Sequence, residues 1–215
     1  MQLPAQDAIM HIYLLVQNYI TFCMMEIETK VVGIDKKEVK DALAKLHAEI
    51  LGCFVQRRWV FDISPSKEVD EFIRIRTDGK KATLTYKRRE GEGLANTYEV
   101  ETGVEDFDKT AEILSKAVRG ARYQENYREL YRIGGLEVAI DHWPMIKPHL
   151  EIEGPSEAEV MDLVRQLGIR GKAVGNVSVV KIYAEEGIDL NLFKELRFSM
   201  DERVALGIGE TCEAK

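Results

Sequence analysis

The sequence predicts an α+β protein built on an antiparallel β-barrel with helices packed on its outside, and three observations carry that expectation. Five short runs alternate ionisable or polar residues with mostly apolar ones: Glu26-Ile27-Glu28-Thr29-Lys30, Phe72-Ile73-Arg74-Ile75-Arg76, Thr83-Leu84-Thr85-Tyr86-Lys87, Tyr98-Glu99-Val100-Glu101 and Leu150-Glu151-Ile152-Glu153. Successive strand side chains point to opposite faces, so each run gives a strand with one charged or polar face. Asp78-Gly79 and Gly134-Gly135 stand between alternating runs, the two-residue signature of hairpins. The helical stripes do not alternate regularly with the strands, which disfavours a doubly wound parallel sheet.

Taken in order, residues 1–24 are an N-terminal extension to which no role is assigned. Residues 9–25 are apolar, but His11, Gln17 and Asn18 interrupt them and no basic region precedes them. Against the roughly 20 apolar residues that span a bilayer, the segment predicts no membrane association. Lys36 to Ile50 places Val39, Leu43, Leu46 and Ile50 at helical spacing, with Asp35 as its cap. A strand follows near Phe54–Asp62, then the hairpin 71–77 and 80–88, a connection marked by Gly91 and Gly93, and a strand around Thr97–Thr102. Phe107, Ala111, Leu114 and Val118 form a second helical stripe. Strands at 123–133 and 136–142 form the next hairpin, and a strand at 149–153 ends at Gly154-Pro155. Ser156 and Glu159 then make a capping box for a helix that buries Val160, Leu163, Val164 and Leu167. The barrel domain covers 25–190, and 191–215 is a C-terminal tail with a short helix near Leu190–Leu196 and fraying beyond Glu202.

Composition narrows the function. The formal net charge is −7, with 31% charged and 45% hydrophobic residues, which argues against a nucleic-acid grip made by bulk positive charge. Cys23, Cys53 and Cys212 show no CxxC spacing, so reduced thiols in a cytoplasmic protein are expected. The histidines His11, His47, His142 and His149 show no zinc-protease pairing.

A lone charged strand face is ordinarily solvated. Here the pattern recurs, and if the apolar faces meet the helices the charged faces turn inward. Glu26, Glu28, Glu99, Glu101, Asp141, Glu151 and Glu153 would then share an interior with Lys30, Arg74, Arg76, Lys87 and Arg128. Each buried charge costs several kcal/mol unless paired, hydrated or metal-bound. Phosphoryl or nucleotidyl transfer uses both signs: Arg and Lys neutralise phosphate oxygens while carboxylates hold a divalent cation.

Glu26-Ile-Glu-Thr-Lys30 resembles the E-x-E-x-K signature of the CYTH superfamily, the triphosphate tunnel metalloenzymes, which includes class IV adenylate cyclases, thiamine triphosphatases and inorganic triphosphatases. The likeness continues through Ile73–Arg76, Leu84–Lys87, Tyr98–Glu101, Tyr127-Arg128 with Tyr131, Val138–Asp141 and Leu150–Glu153. It implies a closed eight-stranded antiparallel tunnel around a triphosphate. By matching positions, it implies that Glu151 and Glu153, with Asp141, hold a Mg²⁺ or Mn²⁺ ion and that Glu26 and Glu28 help hold a second. Lys30, Arg74, Arg76, Lys87 and Arg128 would clasp phosphate oxygens, with Lys30 and Glu28 as the catalytic pair. Glu99 and Glu101 would support the basic side chains through ion pairs.

The chain departs from the pattern at Asn126-Tyr127, since many relatives carry a lysine just before the arginine that Arg128 matches. Ser178, Lys181 and Tyr183 match a C-terminal serine-tyrosine element only loosely. Arg57 and Arg58 are adjacent, so at most one faces inward.

The resemblance implies a small triphosphate-bearing substrate: ATP, tripolyphosphate or thiamine triphosphate. Hydrolysis is the leading reading, since it needs only the tunnel. Cyclisation of ATP to cyclic AMP and pyrophosphate is the alternative, to which the Glu-Ile-Glu-Gly-Pro-Ser run is similar. A non-catalytic triphosphate-binding module and a structural domain with superficial charges remain as further readings. Hydrolysis and cyclisation, the choice of metal and the oligomeric state are not separated by the sequence.

Overall fold

The computed structural model describes residues 25–64, 69–89, 91 and 93–208. The extension 1–24 lies outside the described residues. The elements in chain order are β1 (Met25–Glu26), β2 (Glu28–Val32), α1 (Lys36–Lys45), β3 (Glu49–Asp62), β4 (Asp70–Thr77), β5 (Ala82–Arg89), β6 (Thr97–Val104) and α2 (Phe107–Ala117). They continue with β7 (Ala121–Ile133), β8 (Leu136–His142), β9 (His149–Glu153), α3 (Glu157–Leu167), β10 (Lys172–Gly175) and α4 (Val179–Glu185). A 3-10 turn (Leu190–Leu192), β11 (Glu195–Leu196) and α5 (Met200–Ala205) complete the described chain.

The strands form one curled sheet in the order β1-β6-β5-β4-β3-β7-β8-β9-β2-β10, with β11 added to β7. Neighbours on that path are antiparallel, and among the described residues only the β11–β7 pair is parallel. The α+β class and the antiparallel curled sheet expected from the sequence are both present. Both predicted hairpins form: Asp78 Oδ1 accepts from the amides of Lys80 and Lys81 at 2.8 and 2.9 Å, and Gly134-Gly135 joins β7 to β8.

The helices decide which sheet face is which. Asp35 caps α1 by accepting from the Glu38 amide at 3.0 Å, and Ser156 caps α3 by accepting from the Glu159 amide at 3.2 Å. Val39 and Leu43 of α1 and Val160 and Leu163 of α3 pack on Val31, Val138, Ile140, Leu150 and Ile152 from β2, β8 and β9. Phe107 and Ala111 of α2 pack on Phe61 of β3 and Ile75 of β4. With these residues committed to the helix-covered face, period-two alternation puts Lys30, Arg58, Arg74, Arg76, Asp141 and Glu151 on the other.

The structure corrects the expectations in two places. Helix α1 ends at Lys45, because His47 takes a left-handed φ of 54° and reverses the chain, so Ile50 belongs to β3. Past Glu202, where fraying is expected, α5 runs to Ala205, held by the Arg203 Nη2 bond to Glu125 Oε1 at 2.7 Å. Of the three cysteines only Cys53, on β3, lies within the described residues.

Candidate functional site

The charged residues of the inner face fall into two groups. One is built on β2, β7, β8 and β9, where Lys30 lies opposite Glu151 and Glu28 opposite Glu153 in register. Lys30 Nζ is 2.6 Å from Glu28 Oε1 and 3.2 Å from Glu151 Oε2, and both Lys30 and Glu28 are buried. Arg128 grips Asp141 with two prongs, Nε to Oδ1 at 2.8 Å and Nη2 to Oδ2 at 2.5 Å, and Nη2 also donates to Glu151 Oε1 at 2.9 Å. Asn126 Nδ2 donates to Asp141 Oδ1 at 2.8 Å.

The second group lies on β4, β5 and β6. Lys87 Nζ is 3.0 Å from Glu99 Oε2, and Arg76 Nη2 is 3.6 Å from Glu101 Oε2. Arg74 Nη2 stands 3.8 Å from Glu101 and 4.0 Å from Glu99. Thr85 Oγ1 donates to Glu101 Oε2 at 2.7 Å. Glu99 and Glu101 thus stand within 4.0 Å of the basic side chains on β4 and β5.

Electrostatics couples the groups. Burial pulls the Lys30 ammonium down, but Glu151 and Glu28 outweigh it and push it up to about 12. Burial raises the Glu151 carboxyl, yet Lys30 and Arg128, with Lys87 from the other group, hold it well below the usual range. Arg74, burial and Arg128 together pull Arg76 down to about 10. His149, buried in register with Asp141, is pulled down by that burial to about 4 and is neutral near pH 7.

Glu153 is exposed on β9, with Glu28 and Glu137 opposite it on the flanking strands. Glu26 pairs through its backbone with Thr97, and its side chain lies outside the described residues. Tyr183 is buried and donates to the Pro144 carbonyl at 2.6 Å, Ser178 caps α4, and Lys181 lines a cavity. That cavity, about 420 Å³, is walled by Asp70, Arg89, Asn96, Asn176 and Lys181 among others. Nothing in local sequence marked it, because its walls come from segments about eighty residues apart.

Among the described residues, no three His, Cys, Asp or Glu side chains form a ready-made metal site. The donor chemistry nevertheless suits a hard divalent ion: Asp141 and Glu151 offer carboxylate oxygens, and both already converge on one cationic atom, Arg128 Nη2. A cation position shared by two carboxylates is therefore built into the inner face.

Arg58 was not picked out by the sequence beyond its pairing with Arg57. It is buried on the inner face while Arg57 is exposed. Phe61, three residues on and committed to α2, is the signal that fixes this parity.

The family model described as the CYTH domain matches residues 24–177. Among solved structures, the PH1012 protein of Pyrococcus horikoshii OT3 is 22% identical, covering 68% of this chain and 92% of its own, with a TM-score of 0.59. A candidate adenylate cyclase from Vibrio parahaemolyticus is 11% identical, covering 76% and 99%, with a TM-score of 0.58. HpAC1 from Hippeastrum, a candidate adenylyl cyclase with a dominant triphosphatase activity, is 17% identical, covering 78% and 99%, with a TM-score of 0.52. At these identities the likeness is one of fold. No curated protein matches.

Proposed function

The chain belongs to the CYTH domain family, and from that premise we propose that it is a divalent-metal-dependent enzyme that hydrolyses a phosphoanhydride of a triphosphate-bearing substrate. The observation that carries this reading is the convergence of Lys30, Arg74, Arg76, Lys87 and Arg128 with Glu28, Asp141 and Glu151 on one sheet face, four of the eight buried and the other four partly buried. So much buried charge is costly to stability and finds its reason in a ligand.

In our reading, residues 25–190 form a closed eight-stranded tunnel. Support comes from the first strand: β1 pairs with β6, β2 pairs with β9, and only Ile27 separates them. One nearly continuous strand thus touches both ends of the path β6-β5-β4-β3-β7-β8-β9. A triphosphate lying along the axis would meet basic side chains from several walls at once.

In the proposed mechanism, Arg74, Arg76 and Lys87 neutralise phosphate oxygens from one wall and Lys30 and Arg128 from the other. These cations withdraw charge from the oxygens as the bridging bond lengthens, which is most of what phosphoryl transfer asks of a protein. Asp141 and Glu151, with Glu153, would hold the metal, and Glu28 with Glu26 a second ion. When bound, Mg²⁺ or Mn²⁺ supplies charge neutralisation at the phosphates and lowers the pKa of a coordinated water. Glu28 keeps Lys30 charged and oriented, while Glu99 and Glu101 hold Lys87, Arg74 and Arg76 extended into the channel.

Cyclisation of ATP is the second reading, favoured by one observation. The cavity of about 420 Å³ beside Arg89 falls within the range of small-molecule sites and carries amide groups from Asn96 and Asn176 able to meet a base or ribose. Incubation with ATP or tripolyphosphate and Mn²⁺, followed by separation of cyclic AMP, ADP, phosphate and pyrophosphate, tests both. Hydrolysis predicts phosphate from tripolyphosphate, and cyclisation predicts cyclic AMP from ATP. Absence of turnover on ATP, tripolyphosphate and thiamine triphosphate would overturn the enzymatic reading. In that reading the protein works on a free small molecule in the cytoplasm. No helix among the described residues is long and apolar enough to cross a membrane.

A further inference from the structure

Arg58 is a buried cation that forms no ion pair among the described residues. Its Nη2 donates to Gln56 Oε1 at 3.0 Å and to Asn126 Oδ1, its Nε is buried without a hydrogen-bond partner, and its guanidinium lies 4.6 Å from the Trp143 ring centroid. Across the β3–β4 ladder it stands directly opposite Arg76. Like charges facing each other across a ladder repel. Burial disfavours its charge most, Arg74, Arg76 and Arg128 add to that, and only the smaller pull of Asp141 favours it.

A structural arginine in such a place would bring a carboxylate. Two neutral amides and an aromatic face hold this guanidinium in position without neutralising it, and they leave a donor unspent. We propose that Arg58 is a further phosphate-binding residue of the site, a fourth guanidinium that contacts an oxyanion together with Arg74, Arg76 and Arg128. Asn126, where the family resemblance leads one to expect a lysine, then serves as a tether for a cation supplied from the neighbouring strand. The chemical class recognised is a tripolyphosphate or the triphosphate moiety of a larger substrate. The inference rests on the triphosphate reading given above.

Calorimetric titration of the full chain with sodium tripolyphosphate, beside thermal unfolding of the free protein, tests it. Arg58→Gln is expected to weaken binding by about tenfold, the loss of one charge-assisted contact. The free variant should melt at the same temperature as the parent chain or higher, since a repelled charge is gone. Adding Asn126→Lys to Arg58→Gln should recover most of the affinity, which a packing role against Trp143 would not allow. Unchanged affinity in Arg58→Gln, or weakened affinity with no rescue by Asn126→Lys, overturns the assignment while leaving the triphosphate reading intact. Failure of the parent chain to bind tripolyphosphate overturns both.

Discussion

Arg128 and Asp141 form a two-pronged pair, with donor distances of 2.8 and 2.5 Å, and the same guanidinium reaches Glu151 at 2.9 Å. A cation of the protein itself thus stands between two proposed metal-binding carboxylates. Arg128 must turn toward phosphate before Asp141 and Glu151 are free for an ion, so triphosphate and metal should bind cooperatively. Removing one partner of a buried pair is costly, by about 3–5 kcal/mol. Arg128→Ala is therefore expected to lower the urea midpoint without ligand, to tighten Mn²⁺ binding in the absence of triphosphate, and to abolish turnover. Weaker Mn²⁺ binding in that variant would remove Asp141 and Glu151 from the metal site.

Arg76 gives a pH argument with a definite sign. Its guanidinium is pulled below its ordinary value to about 10, chiefly through Arg74. A base whose folded value is depressed contributes its stability above the unfolded value and loses it as pH falls through the folded one. Below about pH 10, therefore, the Arg76 charge opposes folding by a constant amount. Arg76→Met should stabilise the free protein by about 1–2 kcal/mol, less than the full shift implies because the side chain is a quarter exposed. The gain should be flat from pH 6 to 9. Urea titrations across that range check it, and a gain confined to one end would point to a different titrating group.

Tripolyphosphate should stabilise the chain strongly, because it binds the folded state and relieves repulsion among Arg58, Arg74, Arg76 and Arg128. At a concentration a hundred times Kd, the gain is about 2.7 kcal/mol, or about 5–10 °C in Tm for a chain of this size. Lys87→Ala removes the partner of Glu99 and one proposed phosphate contact. It should raise KM by tenfold or more with a smaller effect on kcat, and it should shrink the thermal shift. Scanning fluorimetry with and without ligand separates this from a merely surface role, in which neither quantity moves.

The inner face was legible because a period of two is a strong signal when both faces are committed. Once Ile73 and Ile75 or Leu150 and Ile152 are given to the helices, Arg74, Arg76 and Glu151 have only one place to go. The end of α1 was not legible, since Ile50 continues the apolar spacing by coincidence while the chain reverses at His47. Arg58 was half legible: adjacency to Arg57 fixed that one of the two faces inward, and only the packing of Phe61 says which. The carboxyl-terminal contacts were hidden, because they join residues more than seventy positions apart.

Those contacts support the sheet from outside. Glu125 on β7 is buried and accepts from the Phe198 amide and from Arg203 Nη2, each at 2.7 Å. Arg203→Ala leaves the carboxylate with the Phe198 amide and a long bond from the Tyr123 hydroxyl at 3.5 Å, a loss of about 1–3 kcal/mol. Hydrogen exchange should then quicken in β11 and α5 before it does in β7, and tripolyphosphate affinity should hold. Equal loosening of β7 would mean that the segment is integral to the sheet.

Gly171 opens β10, which pairs with β2 and so backs the strand that carries Lys30. Its φ is +145°, and an added Cβ would meet Val31 Cγ1 at 2.8 Å and the Val32 carbonyl at 3.0 Å. The second neighbour is backbone and cannot step aside, and the first is locked in the core against the helices. Gly171→Ala therefore forces β10 away from β2, at a cost of about 2–3 kcal/mol from backbone strain and overpacking together. Glu151 bonds to Lys30 from the opposite side, on β9, so the lysine should keep its partner even as the strand behind it loosens. The expected variant is less stable to urea yet binds tripolyphosphate with nearly the parent Kd. A large loss of affinity at unchanged stability would show that β10 itself positions Lys30.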